Sequence, residues 1–441
     1  MKRLQYGFLV FSVIFYNSSL YAGEDGLSSL LKMLRSNNTI TQEQYEALNK
    51  AAEHRKVKEE KEKSKEDDNS IHVSTEGGLE ASTYDGEFAF EVGGTIMVDV
   101  ATFAEDRNRL GNGTELRKAE MQLEGKMFGD WEYELEINFA DSEVDVNDAY
   151  IKYVGFYPVS IIVGQFKESF SLEELTGSSK KTFMERSLIN EFSPGRNIGV
   201  GVHHYSESWT AAAGIFGDDV NDDPKNEGDE GWGVTGRVTW SPFHSDQHAL
   251  HLGIASSYRE PDAGHEIDFA TRPESHLTDV KYANTDDIDN VENTSKMGFE
   301  FANVHGPFSA QMEYVRVDVS RVNNAEDVTF DGWYIYGSYF LTGESRDYKF
   351  KSGKFGRVKP HGKQGAWEVA LRYSTIDLND GPITGGKEDN VTLGLNWYIN
   401  ERIKIMANYI TVDTDDDANN AGGVTGGDNP NIYQVRMQAD F

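Results

Sequence analysis

Residues 431–441 read NIYQVRMQADF. Counting back from Phe441, Ala439, Met437, Val435 and Tyr433 are apolar or aromatic, while Asp440, Gln438, Arg436 and Gln434 between them are polar. Side chains on a strand point alternately to opposite faces, so this is a strand with one greasy and one polar face. The last residues of a soluble domain usually fray. A terminal strand that keeps its alternation up to a phenylalanine needs a partner. In a closed barrel the last strand pairs with the first and no edge remains.

The same period recurs upstream. EFAFEVGGTIMVDVATF sets Phe88, Phe90, Val92, Ile96, Val98 and Val100 on one face. WEYELEINF sets Tyr133, Leu135, Ile137 and Phe139 against Glu132, Glu134 and Glu136. AWEVALRYSTID, DNVTLGLNWYI and RIKIMANYITV repeat the pattern. The links between these runs alternate in length. FGDW, GFYPV, SES, HGP and INER are tight, whereas GDDVNDDPKNEGDEG, the stretch 260–294 and DTDDDANNAGGVTGGDNPN are long, acidic and rich in Gly and Asn. Tight turns at one end and large loops at the other mark an up-and-down barrel. A soluble sandwich buries its greasy face; a transmembrane barrel turns that face to lipid and its polar face to a lumen. The expectation is an all-β, transmembrane antiparallel barrel over residues 86–441, with about 16 strands at roughly 40–45 residues per hairpin.

Composition is compatible. Of 441 residues, 38% are hydrophobic, yet 12% are aromatic, with 21 Tyr and 24 Phe beside 43 Gly and 10 Pro. Mean hydropathy is −0.58. A formal charge of −32 argues against a nucleic-acid partner, because a polyanion needs a basic surface. With no cysteine there is neither a disulfide framework nor a thiol nucleophile.

The first residues, MKRLQYGFLVFSVIFYNSSLYA, have a basic start at Lys2 and Arg3, a short apolar run from Phe8 to Tyr16 and a cleavage point after Ala22. They read as a signal peptide over 1–22, since the run is too short to span a bilayer. Residues 23–85 read as a periplasmic helical and charged segment with a linker. GLSSLLKMLRSNN is a short amphipathic helix, Thr41 and Gln44 form a capping box, and a mixed-charge tract follows from Glu53.

One segment breaks the alternation: FKESFSLEELTGSSKKTFMERSLINEFSPG, residues 166–195. Ser171 with Glu174, and Thr182 with Glu185, are spaced as capping boxes for two short helices. Phe183, Met184, Leu188 and Ile189 form an apolar face that needs a surface to cover. The segment either folds onto the inner wall or forms a surface lid.

VGQFKESFSLEELTGSSKKTFMERSLINEFSPGRNIGVGV closely resembles the phosphate-selective porin O/P family of Gram-negative outer membranes, as do YFLTGESRDY, NWYINERIKIMANY and the terminal Phe441. The resemblance implies a homotrimer of 16-stranded barrels in the outer membrane, each narrowed by an inward-folded constriction loop. It implies diffusion of small ionic solutes, anions such as phosphate among them. Outer-membrane lipid, lipopolysaccharide and the assembly machinery are the implied partners, with Phe441 as the closure and assembly signal. The other reading is a structural or adhesive barrel with an effectively closed lumen.

On this basis Lys167, Glu173, Glu174, Lys180, Lys181, Glu185, Arg186 and Arg196 are the constriction-loop candidates. Strand parity adds Lys118, Lys126, Lys152, Arg237, Arg372, Arg402, Lys404 and Arg436 as lumen bases. It places Asp99, Glu120, Glu124, Glu132, Glu134, Glu136, Glu300 and Glu368 there as well. The basic ladder is interrupted, so a weakly selective channel with modest anion preference is expected. No catalytic, metal or cofactor site is expected: G-x-S-x-G, H-E-x-x-H and P-loop motifs do not occur. His203 and His204, as strand neighbours, point to opposite faces.

Overall fold

The computed structural model of the chain describes residues 25–37, 39–42, 44–46, 48–50, 70–75, 78–140, 143–221, 229–262 and 264–441. Among them, sixteen long strands form one antiparallel sheet. They are β1 (Ala89–Ala104), β2 (Gly113–Met127), β3 (Trp131–Asn138), β4 (Asp145–Tyr153), β5 (Val159–Lys167), β6 (Arg196–Tyr205), β7 (Trp209–Phe216) and β8 (Trp232–Trp240). There follow β9 (His248–Glu260), β10 (Val291–His305), β11 (Phe308–Arg321), β12 (Val328–Phe340), β13 (Ala366–Asp380), β14 (Ile383–Tyr398), β15 (Ile403–Thr414) and β16 (Asn431–Asp440). Each pairs with its successor, and β16 returns to β1 from Asn431↔Ala104 to Asp440↔Thr95. The ring is closed as the alternation of residues 431–441 requires. Phe441 extends the seam, exchanging two backbone hydrogen bonds of 3.0 Å with Gly94. Its ring lies over Gly94, where a Cβ would come within 2.7 Å of it and 2.3 Å of the Glu120 carbonyl oxygen.

The two faces separate by chemistry. Tyr433, Val435 and Met437 are exposed on the outside, and Gln434, Arg436 and Gln438 are buried inside. Ile96, Val98 and Val100 face out and Asp99 faces in. This outward apolar band is what a hydrocarbon solvent demands.

The inner face departs from the expected uniform polarity. On β11–β13, Val315, Val317, Val319, Phe330, Ile376 and Leu378 are buried inside the ring. They meet Phe183, Leu188, Ile189 and Phe192 of the segment 168–195, and Phe269, Ala283 and Ile288 of the segment 261–290. The segment 168–195 therefore lies inside the barrel, and a second long loop enters beside it. Burial of the shared apolar surface holds both there. On the outside of β11, where it rises toward the loops, Arg316 and Asp318 pair at 2.7 Å in solvent.

Connection lengths have two exceptions to the alternation read from the sequence. β13 and β14, on the long-loop side, are joined by a tight turn at 381–382, with Gly381 at φ +53. On the short-turn side, residues 341–365 between β12 and β13 form a long inward segment, in which Arg346, Phe355 and Val358 are buried.

The two expected loop helices are only half present. Leu172–Leu175 is helical, and the Ser171 hydroxyl accepts from the Glu174 N–H at 3.1 Å. The Thr182 box does not form, because the Glu185 carboxylate is engaged by Arg117 and Arg436. Instead, 3₁₀ turns occupy Ser178–Lys180 and Leu188–Phe192.

The chain divides into two compact units, residues 1–72 with 83–85, and residues 73–82 with 86–441. In the first, α1 (Asp25–Ser36) is the expected amphipathic helix. The Thr41 box is formed: the Thr41 N–H donates to Gln44 Oε1 at 2.9 Å and the Gln44 N–H to Thr41 Oγ1 at 3.2 Å. Arg35 lies over the Tyr45 ring at 5.2 Å. The segment 1–22 expected as a signal peptide, and residues 51–69 of the expected charged tract, lie outside the described residues.

Candidate functional site

The lumen is occupied by a belt of backbone, the segment 168–195, tied to the wall by side chains of many strands. From β11, the Glu313 carboxylate accepts the Leu172 and Glu173 N–H groups at 3.0 and 2.8 Å, satisfying the open donors of a helical turn. Asn408 on β15 accepts from the Met184 N–H at 2.9 Å, and Ser374 on β13 accepts from the Leu188 N–H at 3.0 Å. Asn396 on β14 donates to the Thr182 carbonyl at 2.7 Å, and Gln438 on β16 to the Ser179 carbonyl at 2.8 Å. These contacts satisfy backbone groups that would otherwise be buried unpaired.

Most wall bases belong to this scaffold. Arg436 pairs with Asp99 on β1 and also holds the Met184 carbonyl and the Glu185 carboxylate. Arg372 pairs with Glu274 and Glu173 and donates to the Glu185 carbonyl at 3.1 Å. Arg237 grips Glu300 through two contacts of 2.8 and 2.7 Å and donates to the Gly353 carbonyl at 2.8 Å. Lys404 donates to the Lys181 carbonyl at 2.8 Å. Lys152 pairs with Glu132 at 2.8 Å and Lys118 with Glu120. Lys126, opposite Ala89 and Glu132, has no ion pair among the described residues.

Arg402 is not on a strand but in the turn between β14 and β15, lining a cleft with Lys180, Arg357, Lys404 and Asp440. The loop candidates at either end also shift. Lys167 is the last residue of β5, and Arg196 is the first of β6, where it pairs with Asp148 at 2.6 Å and Glu136 at 3.1 Å. Glu174 joins Lys167 at 2.6 Å and Arg186 at 3.2 Å. Burial alone would raise its pKa, but the attraction of Arg186 and Lys167 holds it down at about 2. Lys181 donates to the Met184 carbonyl at 3.1 Å and stands 4.0 Å from Glu185. Glu173 accepts from the Ser187 N–H at 3.0 Å.

Two lysines of the inward segments share this feature of Lys126. Lys180, at the end of the 3₁₀ turn Ser178–Lys180, and Lys354, on the inward segment 341–365, have no carboxylate partner among the described residues. Burial pushes the pKa of Lys180 down, and the Arg357 guanidinium pushes it further; Lys354 is lowered by burial and then by Lys180. The cations act on one another in this way, and Asp440, Glu124, Glu134 and Asp148 act on the two lysines in the opposite sense. Arg357 itself holds Asp440 at 2.6 Å.

Several of these residues escaped the sequence reading. Arg117 pairs with Glu185 at 3.1 Å because the β1–β2 register slips between Met97↔Lys118 and Val98↔Leu116. The bulge puts both Arg117 and Lys118 on the inside, which parity forbids. Arg346, Lys354 and Arg357 sit on the connection 341–365, for which the strand parity of the sequence says nothing. Its basic run, from Arg346 to Lys363, is the signal that was available in so acidic a chain.

Residues 90–441 match the sequence model of the phosphate-selective porin O and P family. Porin O of Pseudomonas aeruginosa is 32% identical over 413 residues, which covers 84% of this chain and 92% of that protein. Among solved structures, the anion-selective porin from Comamonas acidovorans superposes with a TM-score of 0.51 at 13% identity, over 80% of this chain and 100% of that one. OmpT of Vibrio cholerae in its trimer form gives 0.51 at 11% identity, over 80% and 99%.

Proposed function

The chain belongs to the phosphate-selective porin O and P family, and on that premise we propose that it passes small anions through a constriction whose free charge is lysine. It is an outer-membrane porin of a Gram-negative bacterium, a channel for small hydrophilic solutes. We read it as a channel without enzymatic activity. The observation that carries the anion reading is the contrast between the engaged arginines, Arg357 with Asp440 among them, and the Lys180–Lys354 pair. Arginine binds phosphate best through a bidentate fork, and here the forks of Arg237 and Arg436 already hold Glu300 and Asp99. Lysine presents a point charge, which attracts anions without shaping a tight seat. In a narrow, low-dielectric passage the sign of the local charge governs which ions enter.

The reading is therefore modest anion preference with weak phosphate affinity. Constriction roles for Lys167, Glu173, Glu174, Lys181, Glu185, Arg186 and Arg196, and wall roles for Lys118, Lys126 and Lys152, belong to this proposal. So do a homotrimer, contact of the outward face with lipid and lipopolysaccharide, and delivery by the outer-membrane assembly machinery. The trimer form of the Vibrio cholerae barrel supports the assembly only as a property of the shared fold.

The test is the reversal potential of single channels in a potassium chloride gradient, for the parent and for Lys180→Gln with Lys354→Gln. The parent should favour chloride, and the double variant should move toward zero or toward potassium. A parent selective for potassium would sink the anion reading. Block of chloride current by micromolar phosphate would show a tight phosphate seat and overturn the weak-affinity reading.

A further inference from the structure

We propose that His248 and His305 form a two-histidine site for a divalent transition-metal ion, of the Zn²⁺ and Cu²⁺ class, on the outside of the barrel's short-turn rim. The two residues are direct partners in the β9–β10 ladder. Both are exposed, while their neighbours Ala249 and Val304 are buried on the inner face. The Gly306 N–H donates to the Gln247 carbonyl at 2.7 Å just beyond the pair, which fixes the register. A one-residue slip would turn Ala249 and Val304 outward, so the strand pairing itself holds the imidazoles side by side.

The ring geometry suits shared ligation. The ring centres are 4.6 Å apart and the planes are inclined by 54°. A ligating nitrogen lies about 2.0–2.1 Å from such an ion, which puts each ring centre about 3 Å away and two centres about 4.5–5 Å apart. Neither the His248 nor the His305 ring has a hydrogen-bonding or ionic protein partner among the described residues. Neutral imidazole suits zinc, copper and nickel, and two ligands leave the remaining coordination positions to water. The bound ion would clip the β8–β9 turn to the β10–β11 turn. β9 also carries His251, whose Nδ1 meets the Tyr348 hydroxyl of the inward segment at 2.7 Å, so the clip would brace a strand that anchors the segment.

The experiment titrates Zn²⁺ into the full-length folded protein in detergent by calorimetry, and records the electron paramagnetic resonance spectrum of a single Cu²⁺ equivalent. One Zn²⁺ per chain should bind to the parent and to His244→Gln. His248→Gln and His305→Gln should each lose it while keeping the parent's mobility as unboiled, folded barrels on gels. The Cu²⁺ spectrum should show coupling to two nitrogens. A Zn²⁺ isotherm unchanged in His248→Gln or His305→Gln would overturn the proposal. So would a Cu²⁺ spectrum of the parent without that two-nitrogen pattern, which tests the site with no variant at all.

Discussion

Arg436 and Asp99 face each other across the seam where β16 meets β1, joined by two contacts of 2.7 and 2.6 Å with both side chains buried. The same guanidinium holds the Met184 carbonyl and the Glu185 carboxylate of the inward loop. One side chain thus ties ring closure to the position of the constriction. Removing it leaves the buried Asp99 carboxylate without its partner, while Glu185 keeps Arg117, and breaking a buried pair from one side costs about 3–5 kcal/mol. Arg436→Ala should lower the temperature at which the folded band converts to the unfolded one on gels, and should add open-channel noise. The pair Arg436→Met with Asp99→Leu should recover part of the stability, since an apolar replacement removes both charges together. A single variant as stable as its parent would refute this account of the seam.

Phe441 and Gly94 exchange two backbone hydrogen bonds at the lower end of the same seam. Deleting Phe441 should reduce the folded protein recovered from outer membranes and leave unfolded chain in the periplasm. Gly94→Val should act in the same direction, because its Cβ would lie 2.3 Å from the Glu120 carbonyl oxygen. Normal amounts of folded barrel for both variants would contradict the role of this contact.

Removing residues 171–191 should raise single-channel conductance severalfold while the ring survives, because the strands carry its backbone hydrogen bonds. The deletion uncovers Val315, Phe330 and Ile376 inside the lumen, so lower thermal stability should accompany the wider pore. Unchanged conductance would place the narrowest point at another inward segment, with 261–290 and 341–365 as the alternatives.

Anion preference should weaken as pH rises, and below the usual lysine range. Lys180 and Lys354 have pKa values lowered by burial, with Arg357 repelling Lys180 and Lys180 repelling Lys354. The charged form is present below those lowered values and is lost as pH climbs through them. The reversal potential should therefore shift toward zero before pH reaches the ordinary lysine range, and Lys180→Arg with Lys354→Arg should hold it constant. A preference that persists unchanged to the ordinary lysine range would rule out these two groups as its source.

Sequence alone carried the barrel, the sixteen strands and the closing role of residues 431–441. These rest on a period of two that lipid on one side and a lumen on the other impose on every spanning strand. Whether the loop 168–195 enters the barrel depended on resemblance until its apolar face found Val315, Phe330 and Ile376 across the lumen. Parity assigned Arg436, Arg372 and Arg237 to the inner face, and their side chains are buried, yet parity said nothing of Asp99, Glu274 or Glu300 as their partners.

Tertiary structure alone decided the rest. The bulge at Arg117 reverses parity through a backbone slip that no local pattern encodes. The inward turn 341–365 is held by contacts to distant strands, Arg346 to Gln311 and Tyr348 to His251 among them. His248 and His305 stand side by side only because the β9–β10 register makes them so. Alternation reports the face on which a side chain lies, since that depends on neighbours along the chain. It cannot report which residue of another strand lies opposite, since that is set by pairing across the whole closed sheet.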